Sequence, residues 1–561
     1  MKYPDLINPE ISRIGVRESQ MYNIIAGWLV TETIKTSLGP RGMEKVYIDI
    51  LGEATITKHG GAFLRKVDVD HPAAKTVVEA VNAVDTHVGD GTIASAVLIG
   101  ALLKHAQKLL GMGMPTAAII RGFEMSLEAA LAFLEEIKIK SSHTDRHLMG
   151  QLLDSCLEGK AIFDSMPENT KIRGIIMEAV CAVADFYNQK IDIDDIKIEE
   201  KPGNSLDIQL VMGTVIDKTV DSSEMPACLQ DVKVLLLNDP LETMRTRTES
   251  EIEITGPSQM NQFLRQEGND VLLLAKKVAE SGAGLVISRK GIGELAQEYF
   301  AKRGIISIRR AKYNDLWWLE KSTGAHTCKD VEKISKDELG FASFVYEQNV
   351  GGDRMLFVEA KNPSSVTLLL RSSSKRYLDE FHRTVKNAIF VLRNFIEDPF
   401  VVFGGGSCEA IIAQRVRGYS ESVEGKEQIA IQSFADALEE IPLTLARNAG
   451  MNTLDVLPQL RAKTSGTRQV RWYGINSVTR GVEDMSLSGI VDTAAVKEQM
   501  FKTSVEAVNM VLNVNDVFMK DLIDNTHCHI DGTVHAHKDP GRNHNHWEQE
   551  GLEQRQMHHY Y

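Results

Sequence analysis

Cysteine is scarce in this sequence, and its six positions form no pair. The cysteines stand singly at 156, 181, 228, 328, 408 and 528, and no C-x-x-C motif occurs. This distribution predicts reduced thiols rather than a disulfide framework or a cysteine-based zinc site. Reduced thiols are typical of the cytoplasm, so we expect a cytoplasmic protein.

The chain also lacks long apolar runs and an excess of basic residues. No apolar run approaches about 18 residues, so no transmembrane helix is predicted. Residues 1–5 lack the apolar core of a signal peptide. The 63 Lys and Arg residues are outnumbered by 77 Asp and Glu residues, which gives a formal net charge of −14. Since an acidic chain repels phosphate backbones, neither nucleic acid nor a membrane is an expected partner.

The periodicity that is present divides the 561 residues into helical ends and a mixed middle. Residues 92–109 and 116–137 carry apolar side chains at helical spacing, and the chain is strongly helical again from about 377 to 524. Between them, Leu285–Ser288 and Ile305–Ile308 have the composition of strands that flank a helix. This order predicts a separate α/β domain in the middle. It also suggests that both ends build one domain, although composition alone does not establish this.

The last 36 residues differ from the rest of the chain. Eight of the 16 histidines lie beyond residue 525, among polar residues with few aliphatic ones. Such a segment buries too little apolar surface to offset its ordering entropy, so residues 526–561 are predicted to be a disordered tail. Its H-x-H pairs predict weak, adventitious binding of zinc, copper or nickel, without a structural role.

Short glycine-rich turns at helix starts are the features that indicate chemistry. Neither a Walker A motif nor a G-x-G-x-x-G motif between a strand and a helix occurs. Gly89–Thr92 precedes a predicted helix, where free backbone N–H groups and the positive helix end attract phosphate. Asp90 in this turn could hold a Mg²⁺ ion that bridges phosphate oxygens. On its own, G-D-G-T more often marks a calcium loop or an ordinary Asp-Gly turn.

Other stretches change that interpretation. The stretches concerned are Leu38–Met43, Asp68–Lys75, Gly89–Thr92, Gly404–Gly406, Ala446–Gly450 and Gly481–Met485. In identity, order and spacing they resemble the group II chaperonins, the archaeal and eukaryotic-cytosolic kind. The resemblance covers roughly residues 5–520, nearly the whole chain.

The resemblance implies an α+β multidomain fold. A mostly helical equatorial nucleotide-binding domain would form from residues 1–144 and 400–525. A small intermediate domain would form from residues 145–212 and 365–399, and an α/β apical substrate-binding domain from 213–364.

Residues 242–269 resemble the helical protrusion that group II proteins use as a built-in lid. No separate lid protein is therefore expected. Within this stretch, Met260, Phe263 and Leu264 lie on one helical face. They fit either a packed amphipathic helix or a contact for the lid or a client protein.

The resemblance further implies ATP and Mg²⁺ as cofactors and a set of residues that bind them. The positions are Leu38, Gly39 and Pro40 in the phosphate-side turn, Asp90 as the magnesium ligand, Gly91, Thr92, Ile93 and Ala94 after it, Gly405 and Gly406 beside the ribose, Gly474 and Asn476 flanking the adenine, and Asp492 near the nucleoside. Lys160 falls where the family has a lysine that senses the γ-phosphate. A single loop lysine is more often only a solvated charge.

Two pairs of positions depart from the family pattern. Ile93 and Ala94 stand where further Thr or Ser residues usually contact the phosphates. His59 and Asn387 stand where the family has the two catalytic aspartates that position the attacking water. The amide of Asn387 cannot accept a proton, whereas a histidine titrates near neutral pH and could do so.

The sequence therefore predicts an ATP-dependent chaperonin subunit with impaired ATP hydrolysis. Its partners would be unfolded polypeptides and like subunits, in a homo- or hetero-oligomeric double ring joined through segments near 10–15, 48–57 and 515–518. Two alternatives stay open. One is a fully cycling ATPase in which either His59 or a carboxylate elsewhere takes over the catalytic role. The other is a scaffolding ring paralogue that does not fold clients.

Overall fold

A computed structural model describes residues 11–14, 16–160, 163, 169–203, 206–242, 256–464, 470–514, 517–520, 526–528 and 534–536. The chain divides into two compact units, one formed by residues 1–21 and 514–561 and the other by residues 22–513. Helices occur together with several sheets, which confirms the predicted α+β fold class.

The helices are concentrated toward the two ends of the chain. Their bounds are α1 (Val16–Lys35), α2 (Gly60–Lys66), α3 (Pro72–Val88), α4 (Thr92–Gly111), α5 (Thr116–Ile137), α6 (Arg146–Leu157), α7 (Asn169–Val183), α8 (Pro257–Glu280), α9 (Glu294–Lys302), α10 (Tyr313–Thr323), α11 (Lys375–Glu397), α12 (Ser407–Ser420), α13 (Glu427–Asn448), α14 (Thr453–Thr464), α15 (Met485–Ser488) and α16 (Ala494–Asn513).

The longer strands lie in the middle of the chain. The strand bounds are β1 (Ile11–Ile14), β2 (Lys45–Ile48), β3 (Ala54–Thr57), β4 (Ile139–Lys140), β5 (Ile196–Pro202), β6 (Asp207–Val211), β7 (Gly213–Ile216), β8 (Cys228–Leu237), β9 (Leu285–Ser288), β10 (Ile306–Ile308), β11 (Gly340–Val350), β12 (Asp353–Glu359), β13 (Val366–Ser372), β14 (Phe400–Phe403), β15 (Tyr473–Asn476), β16 (Gly481–Asp484), β17 (Val491–Thr493), β18 (Val517–Lys520), β19 (Thr526–Cys528) and β20 (Val534–Ala536).

The largest apolar core is helical and is built from both ends of the chain. Its buried side chains come from residues 24–137 and from residues 402–512. α13 packs on α4 and α5, and α16 packs on α3, α4 and α5. The two ends therefore share one core, a point that composition left open.

α4 lies at the centre of this helical core. It alone among the helices of the described residues is long and apolar enough to cross a membrane, and 61% of its apolar window is buried inside the protein. Leu98, Ile99 and Leu102 are completely buried. A helix that is apolar on all sides and covered by neighbouring helices is typical of the core of a large domain.

A second core surrounds a three-stranded sheet. β13 is its central strand, parallel to β5 and antiparallel to β6. The buried side chains come from residues 149–208 and 366–401, together with Val491, and α6, α7 and α11 supply most of them.

The middle of the chain forms a six-stranded sheet in the order β10-β9-β8-β11-β12-β7. β8, β9 and β10 are parallel, and the remaining pairs are antiparallel. Alternate residues of β8 belong to two different apolar cores, one on each face of the sheet. Val234 and Leu236 belong to the first core, and Leu235 and Leu237 belong to the second. Both faces are buried, which is why the sequence shows a continuous apolar run here rather than an alternating one.

Several predicted elements differ from the structure in detail. The predicted helical run from 377 to 524 is interrupted by β14–β17 and ends before β18. These strands are three or four residues long, too short to interrupt a helical periodicity visibly. α5 begins at Thr116, as the periodicity predicts, and Pro115 occupies its cap position.

The unit formed by the chain ends contains two short antiparallel pairs. β1 pairs with β18, with Ile11 opposite Lys520. β19 pairs with β20 inside the segment predicted to be disordered. At those six residues the structure has paired strands where the sequence predicts disorder. The rest of the predicted tail lies outside the described residues.

Only part of the predicted protrusion is described. Residues 243–255 lie outside the described residues, and α8 begins at Pro257. Met260 and Phe263 are 44% and 38% exposed, so this face of α8 is not packed away; the side chain of Leu264 is outside the description. The three domain boundaries and the lid remain predictions.

Candidate nucleotide-binding site

One cavity of about 240 Å³ brings together all but one of the residues predicted to bind nucleotide or act on it. The predicted residues in its lining are Leu38, Gly39, Pro40, His59, Asp90, Gly91, Thr92, Ile93, Ala94, Lys160, Asn387, Gly405, Gly406, Asn476 and Asp492. Gly474 is the exception. It lies behind the wall, where an added Cβ would come within 2.8 Å of the carbonyl oxygen of Gly405.

The first wall is the start of α4. Gly89 and Gly91 both have left-handed backbone conformations, with φ of 69° and 77°. Gly91 is the N-cap of α4, and no side chain caps the helix. Asp90 Oδ1 accepts a hydrogen bond from the Gly91 N–H at 2.7 Å. The first turn of α4 therefore offers unpaired N–H groups and the positive helix end to the cavity, beside one carboxylate.

A second helix start faces the same cavity. Gly406, with φ of 74°, is the N-cap of α12, again without a capping side chain. Gly405 has φ of 63°, and its carbonyl accepts a hydrogen bond from the Ile475 N–H at 2.8 Å. An added Cβ at Gly405 would lie 2.6 Å from Met485 Sδ, so only glycine fits this turn. Two open helix N-termini at one cavity favour a polyanionic ligand.

The Leu38–Pro40 turn closes the other side of the cavity. Gly39 has φ of 80°, and an added Cβ would lie 2.4 Å from Leu445 Cδ2 on α13. Asn448 Nδ2, also on α13, donates to the Leu38 carbonyl at 2.9 Å. The turn is therefore held against α13 in a conformation that glycine alone adopts readily.

Asp492 belongs to a buried ion-pair network that the sequence did not reveal. Lys497 Nζ lies 2.8 Å from Asp492 Oδ2 and 2.8 Å from Glu409 Oε1. Burial alone would lower the pKa of Lys497, but the two carboxylates outweigh it and raise that pKa well above its usual value. Lys497 therefore stays charged and fixes the Asp492 carboxylate at the cavity wall. Lys497 lies five positions after Asp492, in the first turn of α16, and this short spacing is the sequence signal that could have suggested the pair.

His59 occupies the N-cap of α2. Its Nδ1 accepts a hydrogen bond from the Ala62 N–H at 3.2 Å. Its Nε2 lies 3.2 Å from Asp85 Oδ1, within ion-pair distance although not aligned as a hydrogen bond. Because Nδ1 serves as an acceptor, the neutral ring carries its proton on Nε2. In this arrangement neither ring nitrogen has a free lone pair for a proton from water.

Asp85 holds the far side of the His59 ring. Arg65 NH1 lies 2.8 Å from Asp85 Oδ2. Burial would raise the pKa of Asp85, but its contacts with His59 and Arg65 outweigh this effect, so this pKa lies below its usual value. Asp85 is therefore a charged partner of His59, and sequence analysis did not single it out.

Asn387 reaches the cavity from α11. The residue is 7% exposed, and α11 is tied to the turn before α4 because Asn394 Nδ2 donates to the Val88 carbonyl at 2.8 Å. Phe390 packs so closely that a Cβ at Gly89 would lie 2.4 Å from it. A side chain at 387 is thus held beside the phosphate-side turn, but its amide cannot act as a base.

The cavity fits Mg²⁺ only together with a phosphate ligand. No group of three or more His, Cys, Asp or Glu side chains that could hold a metal ion occurs among the described residues. Mg²⁺ at phosphate sites is usually held by one or two carboxylates, substrate phosphates and water. Asp90, which lines the cavity next to the open start of α4, matches that pattern. Cys156 also lines the cavity, but burial raises its pKa to about 12, so its thiol stays protonated.

Comparison with known proteins agrees with this geometry. The sequence matches the TCP-1/cpn60 chaperonin family over residues 30–521. The chain belongs to this family.

It is 38% identical to a thermosome subunit of Methanothermococcus thermolithotrophicus over 517 residues, which cover 92% of this chain and 94% of that protein. It is 39% identical to a thermosome subunit of Methanopyrus kandleri, with 91% and 94% covered. The alpha subunit of the Aeropyrum pernix thermosome is 37% identical, with 92% and 94% covered. The predicted resemblance to group II chaperonins is thereby confirmed.

Proposed function

We propose that this chain is a subunit of an ATP-dependent chaperonin that forms double rings around unfolded polypeptides in the cytoplasm. The subunit binds Mg-ATP in the cavity described above and hydrolyses it slowly or not at all. One observation carries the proposal: the cavity keeps its backbone-built phosphate side, and its lining includes His59 and Asn387, where the resemblance implies aspartates.

Nucleotide binding is supported by the two open helix N-termini. The unpaired N–H groups at the start of α4 and the Lys160 side chain line the cavity and attract the phosphates, and the Gly406 cap of α12 adds a second positive helix end to the lining. Asp90 would hold a Mg²⁺ ion, which would neutralise phosphate charge. Gly405, Asn476 and Asp492 form the nucleoside end.

Slow hydrolysis is supported by the state of the two substituted positions. Hydrolysis needs a group that orients water and accepts its proton, and such a base contributes roughly 10²–10⁴-fold to the rate, about 3–5.5 kcal/mol. The amide of Asn387 does not accept a proton. Both nitrogens of His59 are turned to Ala62 and Asp85, which argues against the alternative in which His59 replaces the lost aspartate.

Ring assembly is supported by the exposed β2–β3 hairpin. At its tip Ile48, Ile50 and Leu51 are 65% exposed or more, and such an apolar tip suits burial against a neighbouring subunit. A head-to-tail contact of this kind forms a closed ring when the rotation between neighbouring subunits is a whole fraction of 360°. The N- and C-terminal segments complete the contact in our proposal.

Electron microscopy and nucleotide measurements on one preparation test this function. We expect double rings of several hundred kilodaltons, retention of Mg-ATP, and little phosphate release. A monomer that persists under all nucleotide conditions and with candidate partner subunits would contradict the ring. A refolding assay with an unfolded client separates a folding chaperonin from a scaffolding ring.

A further inference from the structure

Lys58 joins two loops at the phosphate end of the cavity. It follows β3, lines the cavity, and its Nζ donates to the Gly159 carbonyl at 2.6 Å and to the Pro40 carbonyl at 2.9 Å. Hydrogen bonds from an ammonium group are stronger than those between neutral groups. One side chain therefore bridges two segments that lie far apart in sequence.

The two carbonyls belong to different cores of the protein. Pro40 lies between α1 and β2, beside the helical core that both chain ends build. Gly159 follows α6, whose side chains belong to the core around the three-stranded sheet. Gly159 has φ of 73°, and an added Cβ would lie 2.3 Å from Pro40 Cα. The two backbones are thus in direct contact where Lys58 bonds to both.

Two carboxylates surround the same lysine. The Lys58 N–H donates to Glu380 Oε1 at 3.4 Å, and Glu380 lies on α11, the helix that carries Asn387. Burial and then the charge of Glu380 raise the pKa of Glu44, while the positive charge of Lys58 opposes that rise. The ammonium group is therefore favoured electrostatically at this junction as well as by the two carbonyls.

We propose that Lys58 is a positioning residue that latches the Gly159–Lys160 loop onto the Gly39–Pro40 turn before nucleotide enters the cavity. The effect of this latch on the response to nucleotide rests on the proposed function, because Lys160 is the residue expected to contact the γ-phosphate. A ligand shifts a conformational equilibrium only by its different affinity for the two states. A loop that Lys58 already holds gains little further order from ATP, so the latch weakens the response of the subunit to the γ-phosphate.

Hydrogen–deuterium exchange on intact rings tests the latch directly. The amides of Glu158 and Lys160 donate to Asp154 and Leu157, so their protection reports whether the loop is in place. In nucleotide-free protein, Lys58→Met should raise exchange in peptides covering residues 157–160 by roughly 10–100-fold, the usual range for losing a hydrogen bond to a charged group. Added Mg-ATP should restore protection in Lys58→Met and change the wild type little.

Three further variants make the result interpretable. Lys58→Arg should restore most of the protection, and Lys58→Gln, which keeps a donor without the charge, should give an intermediate value. Lys66→Met is the matched control, because the Lys66 ammonium group donates to the exposed Thr55 Oγ1 and its loss should leave the loop unchanged.

The outcomes separate the latch from the proposed function. Equal exchange in nucleotide-free wild type and Lys58→Met would overturn the latch, as would a wild type that ATP protects as strongly as the variant. The nucleotide-free comparison needs no ATP binding. If the wild type failed to retain ATP while Lys58→Met still loosened the loop, the proposed function would fail and the latch would stand.

Discussion

The phosphate side of the cavity and its hydrolytic corner are built in different ways. The phosphate side consists of backbone: glycine turns at 39 and 91 with positive φ and the start of α4 without a capping side chain. The nucleoside end is built in the same way, by the glycine turns at 405 and 406 at the uncapped start of α12. The hydrolytic corner depends on side chains at two positions, His59 and Asn387. The backbone-built side tolerates sequence change as long as the turns survive, whereas the corner loses its chemistry when two side chains change.

The contacts of His59 fit a structural role at this corner. Its ring caps α2 and faces Asp85, which Arg65 also contacts. A side chain with these contacts is suited to stabilising the local structure rather than to orienting a water molecule and accepting its proton. Our proposal therefore separates binding from hydrolysis within one cavity.

Restoring both aspartates should have the largest effect. His59→Asp together with Asn387→Asp should raise ATP turnover by at least about tenfold and up to roughly 10²–10⁴-fold, with little change in nucleotide affinity. The two changes should be strongly non-additive, since they restore one catalytic unit. Steady-state phosphate release measures the rate.

The restoration needs two structural controls. A new aspartate at 59 would face Asp85, so the pair should also be made with Asp85→Asn to remove like-charge repulsion. His59→Asn with Asn387→Asp keeps a helix cap but supplies only one carboxylate and should remain slow. Equal rates in the Asp and Asn versions would show that position 59 plays no part in hydrolysis.

Asp90→Asn should have the next largest effect, on binding. The amide keeps an acceptor for the Gly91 N–H but loses the charge that holds Mg²⁺. We expect Mg-ATP affinity to fall by roughly 10–100-fold, the range for losing a charged interaction. Titration calorimetry measures this, and the difference from wild type should vanish when Mg²⁺ is chelated. A difference that persists without Mg²⁺ would assign Asp90 another role.

His59→Ala should affect stability rather than catalysis. The loss of its cap to Ala62 should destabilise the subunit by about 1 kcal/mol. Thermal unfolding should show this, while the already low ATPase rate should not change. A healthy wild-type rate that His59→Ala abolishes would identify His59 as a substitute base.

The Asp85 carboxylate should give this corner a defined pH dependence. Its pKa is lowered in the folded protein, so the stability it contributes is fully present above its unfolded pKa, about 3.9, and is lost as pH falls through the lower folded value. Asp85→Asn should therefore reduce the loss of thermal stability below about pH 4. An unchanged acid profile would show that the contact with His59 and Arg65 contributes nothing.

Truncation after Asn525 should have the smallest effect. Residues 526–561 are rich in histidine and poor in aliphatic residues, so their removal takes little apolar surface from the protein. Ring assembly and the thermal midpoint should stay nearly unchanged. Loss of rings would give the tail a structural role.

Much of the fold followed from local patterns. β9 has the predicted bounds, and the helices at 92–111 and 116–137 match amphipathic or apolar stretches of the sequence. In a continuous segment of this kind, the spacing of the apolar residues is enough to predict the secondary structure. The strands β14–β17 escaped prediction because each has only three or four residues and pairs with a distant partner.

The parts of the candidate site that the backbone builds could be predicted from the sequence. The contacts between side chains that lie far apart in the sequence could not. The glycine turns are visible in sequence because few other residues fit them. Lys58 meets Gly159 over 101 residues, and Lys497 meets Glu409 over 88, so neither contact has a local signature. The loss of an aspartate at 59 was visible, but the use of both imidazole nitrogens was not.

The separation of binding from hydrolysis is tested most directly on wild-type rings with ATP labelled at the γ-phosphate. Bound nucleotide and released phosphate are followed in the same sample over a single turnover. We predict that the rings retain Mg-ATP and release phosphate at least about tenfold more slowly than a chaperonin that carries both aspartates. Phosphate release as fast as in that chaperonin would contradict the account.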